Sequence, residues 1–292
     1  MRSTKRIALA SILVMASSIL ISAEGHVVIL DYHTFLGNSK SNLDYSEKEL
    51  GDELDEIAAM GFKFVSLDDA IAGRISGDEN IVVTIDDGNH TIYQAFKDVF
   101  EPRGIKPYLF IYPAIVRGHV RYALTPERIM LLSESGCGIG AHGYHHNPVT
   151  DKAWVKDPKD FMTEINKPGP ALAAITGQAP TMFAYPFGVY SKRAEDAIAS
   201  AGYAWGFAAD DKVTPVDFSD TSLDRMAVPR TITYRYLRKS LLAELARIAE
   251  AGSPPSFELP VPAPAYGPEA PAANSQAASI GSEAAPSKVA TP

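Results

Sequence analysis

The sequence predicts an α/β fold, a distorted parallel (β/α)7–8 barrel. Three observations carry this expectation. Short apolar, β-branched runs alternate with helix signatures, which implies parallel strands joined by crossover helices. Seven or eight such units fit into roughly 230 residues, about the size of an α/β barrel. Polar residues gather where the apolar runs end, the side on which barrels carry chemistry. An open doubly wound sheet is the alternative, and the unit count favours the barrel.

The elements follow in order. HVVILDY, residues 26–32, reads as a buried strand. Ser46 with Glu49 three positions on is a capping box, opening a helix that runs to about Gly61. Residues 63–67 and 81–85 read as strands. From Thr91 to Phe100, Tyr93, Phe96, Val99 and Phe100 share one helical face, and Pro102 and Gly104 stop it. Residues 106–112 form the next strand. Thr125-Pro126 is an N-cap followed by proline at the first helical position, with the helix ending before Gly136. Residues 138–141 are a short strand, and a helix is expected between Asp160 and Ile175. The last strands are expected at 181–185, 203–208 and 226–228, with Ser191 capping a helix between the first two and residues 236–251 closing the domain as a helix.

Both ends differ from this pattern. Arg2, Lys5 and Arg6 precede an apolar run over residues 7–21, and Ser22-Ala23 supplies small residues for cleavage. This predicts a signal peptide over 1–23 and export to the periplasm or beyond. The run is short of the roughly 20 residues a membrane span needs, so no stable span is expected. Residues 24–252 form the globular domain. Residues 253–292 are rich in Pro, Ala and Ser, too poor in apolar bulk to offset ordering entropy, and are expected to be a disordered tail. The single cysteine, Cys137, excludes an internal disulfide framework and, at a strand start, is expected in the core. A net charge of −8 argues against nucleic acid and strongly anionic polymers as partners.

Two strand ends carry metal-binding residue types. Residues 81–85 end in Asp86-Asp87-Gly88, adjacent carboxylates that point different ways, so that one can hold a metal while the other stays free as a base. Residues 138–141 end in HGYHH, with His142 and His146 at ligand spacing. One carboxylate and two imidazoles leave coordination positions open, the mark of a catalytic rather than a structural site.

These segments resemble the carbohydrate esterase 4 family of polysaccharide deacetylases. TIDDG (Thr84 to Gly88) is similar to the family's TFDDG motif, HGYHH (His142 to His146) to its HxxxH motif, and AYPFG (Ala184 to Gly188) to its RxPYG motif. GYAWGF (Gly202 to Phe207) is similar to the segment whose tryptophan lines the acetyl pocket. The resemblance runs from about His26 to Arg230. No histidine follows His146, where the family's Leu-x-His motif belongs. LDYH (Leu30 to His33) resembles that motif moved to the N-terminus, as in the circularly permuted branch that includes poly-β-1,6-N-acetylglucosamine deacetylases.

The resemblance implies a barrel of the deacetylase type, with a divalent ion held by Asp87, His142 and His146. Zinc is the default, with cobalt or nickel alternatives because N/O sites discriminate weakly. It makes Asp86 the general base and His33 the general acid. Tyr185, Pro186, Phe187 and Trp205 become substrate-binding residues, with a backbone N–H of the Tyr185–Phe187 loop on the oxyanion. The implied activity is N-deacetylation of an N-acetylglucosamine polysaccharide; alternatives are O-acetyl ester hydrolysis and glycan binding without turnover. Ala184 stands near the arginine that orients the base in many members, so the orienting charge either comes from elsewhere, with Arg230 the candidate, or is missing. His145 competes with His146 as ligand, and the resemblance favours His146.

Overall fold

A computed structural model describes residues 25–38, 40–117, 120–251 and 257–258. The expected signal peptide and nearly all of the expected tail lie outside the described residues. Among the described residues, no helix is long and apolar enough to cross a membrane.

A curled parallel sheet forms the centre. Its strands are β1 (His26–Tyr32), β2 (Lys63–Phe64), β3 (Asn80–Ile85), β4 (Tyr108–Ile111), β5 (Gly138–Ala141), β6 (Met182–Ala184) and β7 (Trp205–Phe207). The remaining pairs are supplied by β8 (Lys212–Val213), β9 (Pro215–Asp217) and β10 (Thr231–Ile232). The spatial order is β10-β1-β3-β4-β5-β6-β7, with β2 beside β3 and β9 antiparallel to the first half of β1. The first strand therefore lies beside the last parallel one, Leu30 opposite Thr231 and Asp31 opposite Ile232.

The remaining gap is closed by the stretch leading into β10. Ala208 N–H donates to Val228 O at 2.9 Å, Val228 N–H to Gly206 O at 2.9 Å, and Ile232 N–H to Asp210 O at 2.7 Å. Residues 226–228, expected as a strand, contribute only an isolated bridge at Val228. Asp224 accepts from Met226 N–H at 2.9 Å, so a turn occupies the start of that segment.

Helices cover the outside: α1 (Glu47–Ala59), α2 (Leu67–Ile71), α3 (Thr91–Ala95), α4 (Pro113–Arg117), α5 (Pro126–Glu134), α6 (Asp151–Lys156), α7 (Pro158–Asn166), α8 (Pro168–Thr176), α9 (Lys192–Ser200) and α10 (Arg238–Ala251). The capping box of α1 is formed, Ser46 Oγ accepting from Glu49 N–H at 3.1 Å and Glu49 accepting from Ser46 N–H at 2.9 Å. Thr125 and Ser191 cap α5 and α9 as expected. Three expectations change. Strand 63–67 stops at Phe64, because Ser66 Oγ caps Asp69 N–H and turns Leu67 into a helix. The helix expected over 160–175 is two, parted at Lys167 because Pro168 starts a new one. Phe257–Glu258, within the expected tail, forms β11, antiparallel to β8.

Alternation along β1 sorts the core. Val28, Leu30 and Tyr32 face the helices, while Val27 and Ile29 face the barrel interior with Val82, Phe110, Met182 and Phe207. Gly138 and Gly140 leave room for the rings of Tyr108 and Phe110 on the neighbouring strand. Cys137 is buried, and burial pushes its thiol up to about 12.

Candidate active site

The C-terminal ends of β1, β3, β5 and β6 meet at one mouth of the barrel. Asp87 Oδ1 lies 3.3 Å from His146 Nε2 and 3.6 Å from His142 Nε2, and the two Nε2 atoms are 3.2 Å apart. His142 Nδ1 donates to Ala184 O at 3.0 Å; a carbonyl only accepts, so the proton sits on Nδ1 and Nε2 presents its lone pair to the mouth. Burial pushes both imidazoles down to about 4, so both are neutral near pH 7.

These residues fit a divalent ion. Asp87 Oδ1 is buried and makes no hydrogen bond, although it faces two imidazole nitrogens. Donors held at about 2.0–2.1 Å around a tetrahedral ion sit roughly 3.3 Å from one another, close to the three separations observed. His145 turns the other way, its Nδ1 3.1 Å from Glu164 Oε1, so His146 completes the triad of donors.

The second carboxylate of the pair has a different setting. Asp86 Oδ2 is 3.5 Å from His142 Nε2, and both Asp86 oxygens accept from Arg230, Nη1 to Oδ1 and Nη2 to Oδ2, each at 2.7 Å. Burial would raise this carboxyl, but Arg230 and its hydrogen bonds hold it well below the usual carboxylate range. Arg230 is itself fixed by Thr84 Oγ1 at 3.1 Å and Ala208 O at 3.3 Å, and lies over the Phe110 ring at 5.0 Å. The orienting charge missing at Ala184 is thus supplied from the segment before β10.

His33 stands across from this pair. One of its ring nitrogens and carboxylate oxygens of Asp31 and Asp86 lie within 4.8 Å of one another. Its Nδ1 is buried without a hydrogen bond. Burial lowers the imidazole, but Asp31, Asp87 and Asp86 outweigh it and raise the pKa, favouring the protonated ring.

Backbone strain is concentrated here. Asp87 (φ 74°), His146 (φ 68°) and Phe187 (φ 62°) are the three non-glycine residues at positive φ among the described residues, and all three flank the mouth. Gly88 has φ 89°, and a Cβ there would meet Ile111 Cγ2 at 2.9 Å. The Phe187 ring is 4.5 Å from the His146 ring, and Tyr112, at the end of β4, is 5.0 Å from it on its own side.

Residues 74–206 match the family described as polysaccharide deacetylase. Over those residues the chain carries a polysaccharide deacetylase domain. No curated protein sequence gives a significant match. Among solved structures, IcaB from Ammonifex degensii is similar with a TM-score of 0.65 and 22% identity, over 77% of this chain and 98% of that one. The deacetylase PplD of Streptococcus pyogenes gives 0.63 and 16%, over 76% and 99%. A de-N-acetylase from Aggregatibacter actinomycetemcomitans gives 0.64 and 15%, over 75% and 99%. These likenesses place the chain in a common barrel fold.

Two expected substrate residues point away from the mouth. Trp205 begins β7, opposite Met182, and packs on Phe218 with ring centroids 5.2 Å apart. Phe207 takes the position nearer the mouth. Inward residues recur every second position, so Trp205 sits one layer deeper, in the core and away from the reacting groups. The Tyr185 side chain points outward, its hydroxyl donating to Met226 O at 2.7 Å and its ring stacked on Tyr190. Tyr185 N–H is committed to Phe207 O at 2.9 Å, and Pro186 has no N–H. Asp31, Tyr112 and Glu164 were not singled out from the sequence. The first two sit on strand or strand-end positions facing the mouth, a signal that was there to read.

Proposed function

We propose that this chain is an exported, metal-dependent N-deacetylase of an N-acetylglucosamine-containing polysaccharide, and that its acid, His33, comes from the first strand through a circular permutation. The observation that carries the reading is Asp86, clamped by Arg230 and 3.5 Å from His142 at the edge of the three-donor cluster.

Asp87, His142 and His146 would hold the ion, with zinc first and cobalt or nickel as alternatives. Such an ion supplies Lewis-acid polarisation of an acyl oxygen and acidifies water. Asp86, kept ionised and oriented by Arg230, takes the proton of the attacking water. His33, kept protonated by the acidic groups around it, donates to the departing amine, which is a poor leaving group until protonated. A backbone N–H of the Tyr185–Phe187 loop would serve the oxyanion, and the Phe187 and Tyr112 rings would wall the acetyl end.

Turnover is favoured over a binding-only role because the base-orienting arginine, absent at Ala184, is present as Arg230. The similar fold of a protein named as a de-N-acetylase agrees with amide rather than ester hydrolysis. Acetate release from chitin oligomers, β-1,6-linked acetylated glucosamine polymer, peptidoglycan and an O-acetylated glycan, with and without chelator, tests the reading. Chelator-sensitive acetate from an N-acetylated polymer is expected. Release only from the O-acetylated glycan, or none from any, overturns it.

A further inference from the structure

Glu164, on α7, has no part in the chemistry above, yet its carboxylate is fully buried beneath the histidine loop. It accepts backbone hydrogen bonds from Tyr144 N–H at 2.8 Å, His145 N–H at 3.0 Å and Asn147 N–H at 3.3 Å. The His145 ring adds Nδ1 at 3.1 Å and Asn147 its Nδ2 at 3.4 Å. Three amides from four consecutive residues thus converge on one anion, the concave arrangement in which main-chain N–H groups bind charged oxygens.

Two further features show that the loop is shaped around this carboxylate. Gly143 has φ 70°, and a Cβ on it would come within 2.6 Å of Glu164 Oε2, so the carboxylate occupies the space a side chain would need. His146, between the donating amides of His145 and Asn147, is held at φ 68° although it is not glycine. A left-handed conformation at a non-glycine residue is strained and persists only when its surroundings fix it.

We propose that Glu164 is a positioning residue: its carboxylate templates the His142–His146 loop, presetting His146 Nε2 beside His142 Nε2 and Asp87 before any metal arrives. The same contacts draw His145 away from the centre. This rests on the reading of Asp87, His142 and His146 as a metal site and adds the element that gives the site its shape. Charge-assisted acceptance from three amides offsets both the backbone strain and the desolvation of the carboxylate.

The test uses zinc and the full exported chain. Metal-free wild type, Glu164→Gln and Glu164→Asp are titrated with zinc in competition with a chromophoric chelator, and thermal midpoints are taken without metal. Glutamine is nearly isosteric, but it removes the charge and turns an NH2 group toward the amides. Residues that support ligands typically contribute 10–100-fold in affinity, so Glu164→Gln should weaken zinc binding by about that factor, with Glu164→Asp between it and wild type. A folded Glu164→Gln protein with wild-type zinc affinity overturns the proposal.

Amide hydrogen exchange of metal-free wild type decides the matter if the variants do not fold, or if wild type binds no zinc. The amides of Tyr144 and His145 should be protected like those of β5. Free exchange that becomes protected only on adding zinc would show that the metal, not Glu164, shapes the loop. Failure of wild type to bind zinc would fail the metal reading, whereas unprotected amides would fail this one.

Discussion

Arg230 meets Asp86 through two parallel hydrogen bonds of 2.7 Å inside the barrel, joining the segment before the last parallel strand to the end of the third. Both groups are almost wholly buried, and Arg230 also lies 3.4 Å from buried Asp31, so removing the arginine strips buried carboxylates of their cation. Arg230→Met should lower stability by about 3–5 kcal/mol, read by chemical denaturation. Arg230→Lys keeps the charge and loses the fork, and should lower kcat more than it raises KM. Asp86→Asn should lower turnover by roughly 10²–10⁴-fold. Unchanged acetate release from that variant would remove Asp86 from the base role.

The pH profile should report His33. Its pKa is raised, so the acid stays loaded above the ordinary imidazole value, and activity should fall as pH rises through the raised pKa. Asp31 is the first of the charges that raise it. Asp31→Asn should therefore move the basic limb of kcat/KM to lower pH. His33→Ala should abolish that limb at a cost of about 10²–10⁴-fold in rate. A limb that stays in place in Asp31→Asn would assign it to another group.

Trp205 and Phe187 should separate cleanly. Trp205→Phe removes packing on Phe218 in the core, so the melting temperature should drop while KM of the folded enzyme holds. Phe187→Ala should do the reverse, raising KM with a smaller change in stability. A raised KM in Trp205→Phe would return that side chain to the substrate pocket.

Gly138 is predicted to be intolerant for steric reasons alone. A Cβ there would sit 2.0 Å from Tyr108 Cδ2, so Gly138→Ala must displace the ring. Overpacking of this kind typically costs about 1–3 kcal/mol, which calorimetry of the metal-free protein would register as a lowered midpoint.

The residues that were legible in the sequence are those whose signal is local. The capping box at Ser46 and Glu49, the proline after Thr125 and the apolar run of β1 each act within a few residues, and the structure forms all three. Asp87, His142 and His146 were legible because residue type, spacing and strand-end placement coincide. Arg230 was accessible only as a substitute for an absence at Ala184, since 144 positions separate it from Asp86. Trp205 was misplaced because a motif fixes order along the strand but not depth, and a shift of two positions moves an inward side chain down a layer. Glu164 left no local mark: an acidic residue in an amphipathic helix looks solvated until the loop above it is in place.

The barrel closes through a few hydrogen bonds between residues 206–210 and the stretch from Val228 to Ile232, not through a long ladder. Arg230 hangs from that seam. Breathing there would withdraw the guanidinium from its carboxylate while β1, β3, β4 and β5 stay zipped. Warming should therefore silence the enzyme ahead of any loss of helix content, and a cross-link over the seam should prolong its working life more than tighter packing elsewhere.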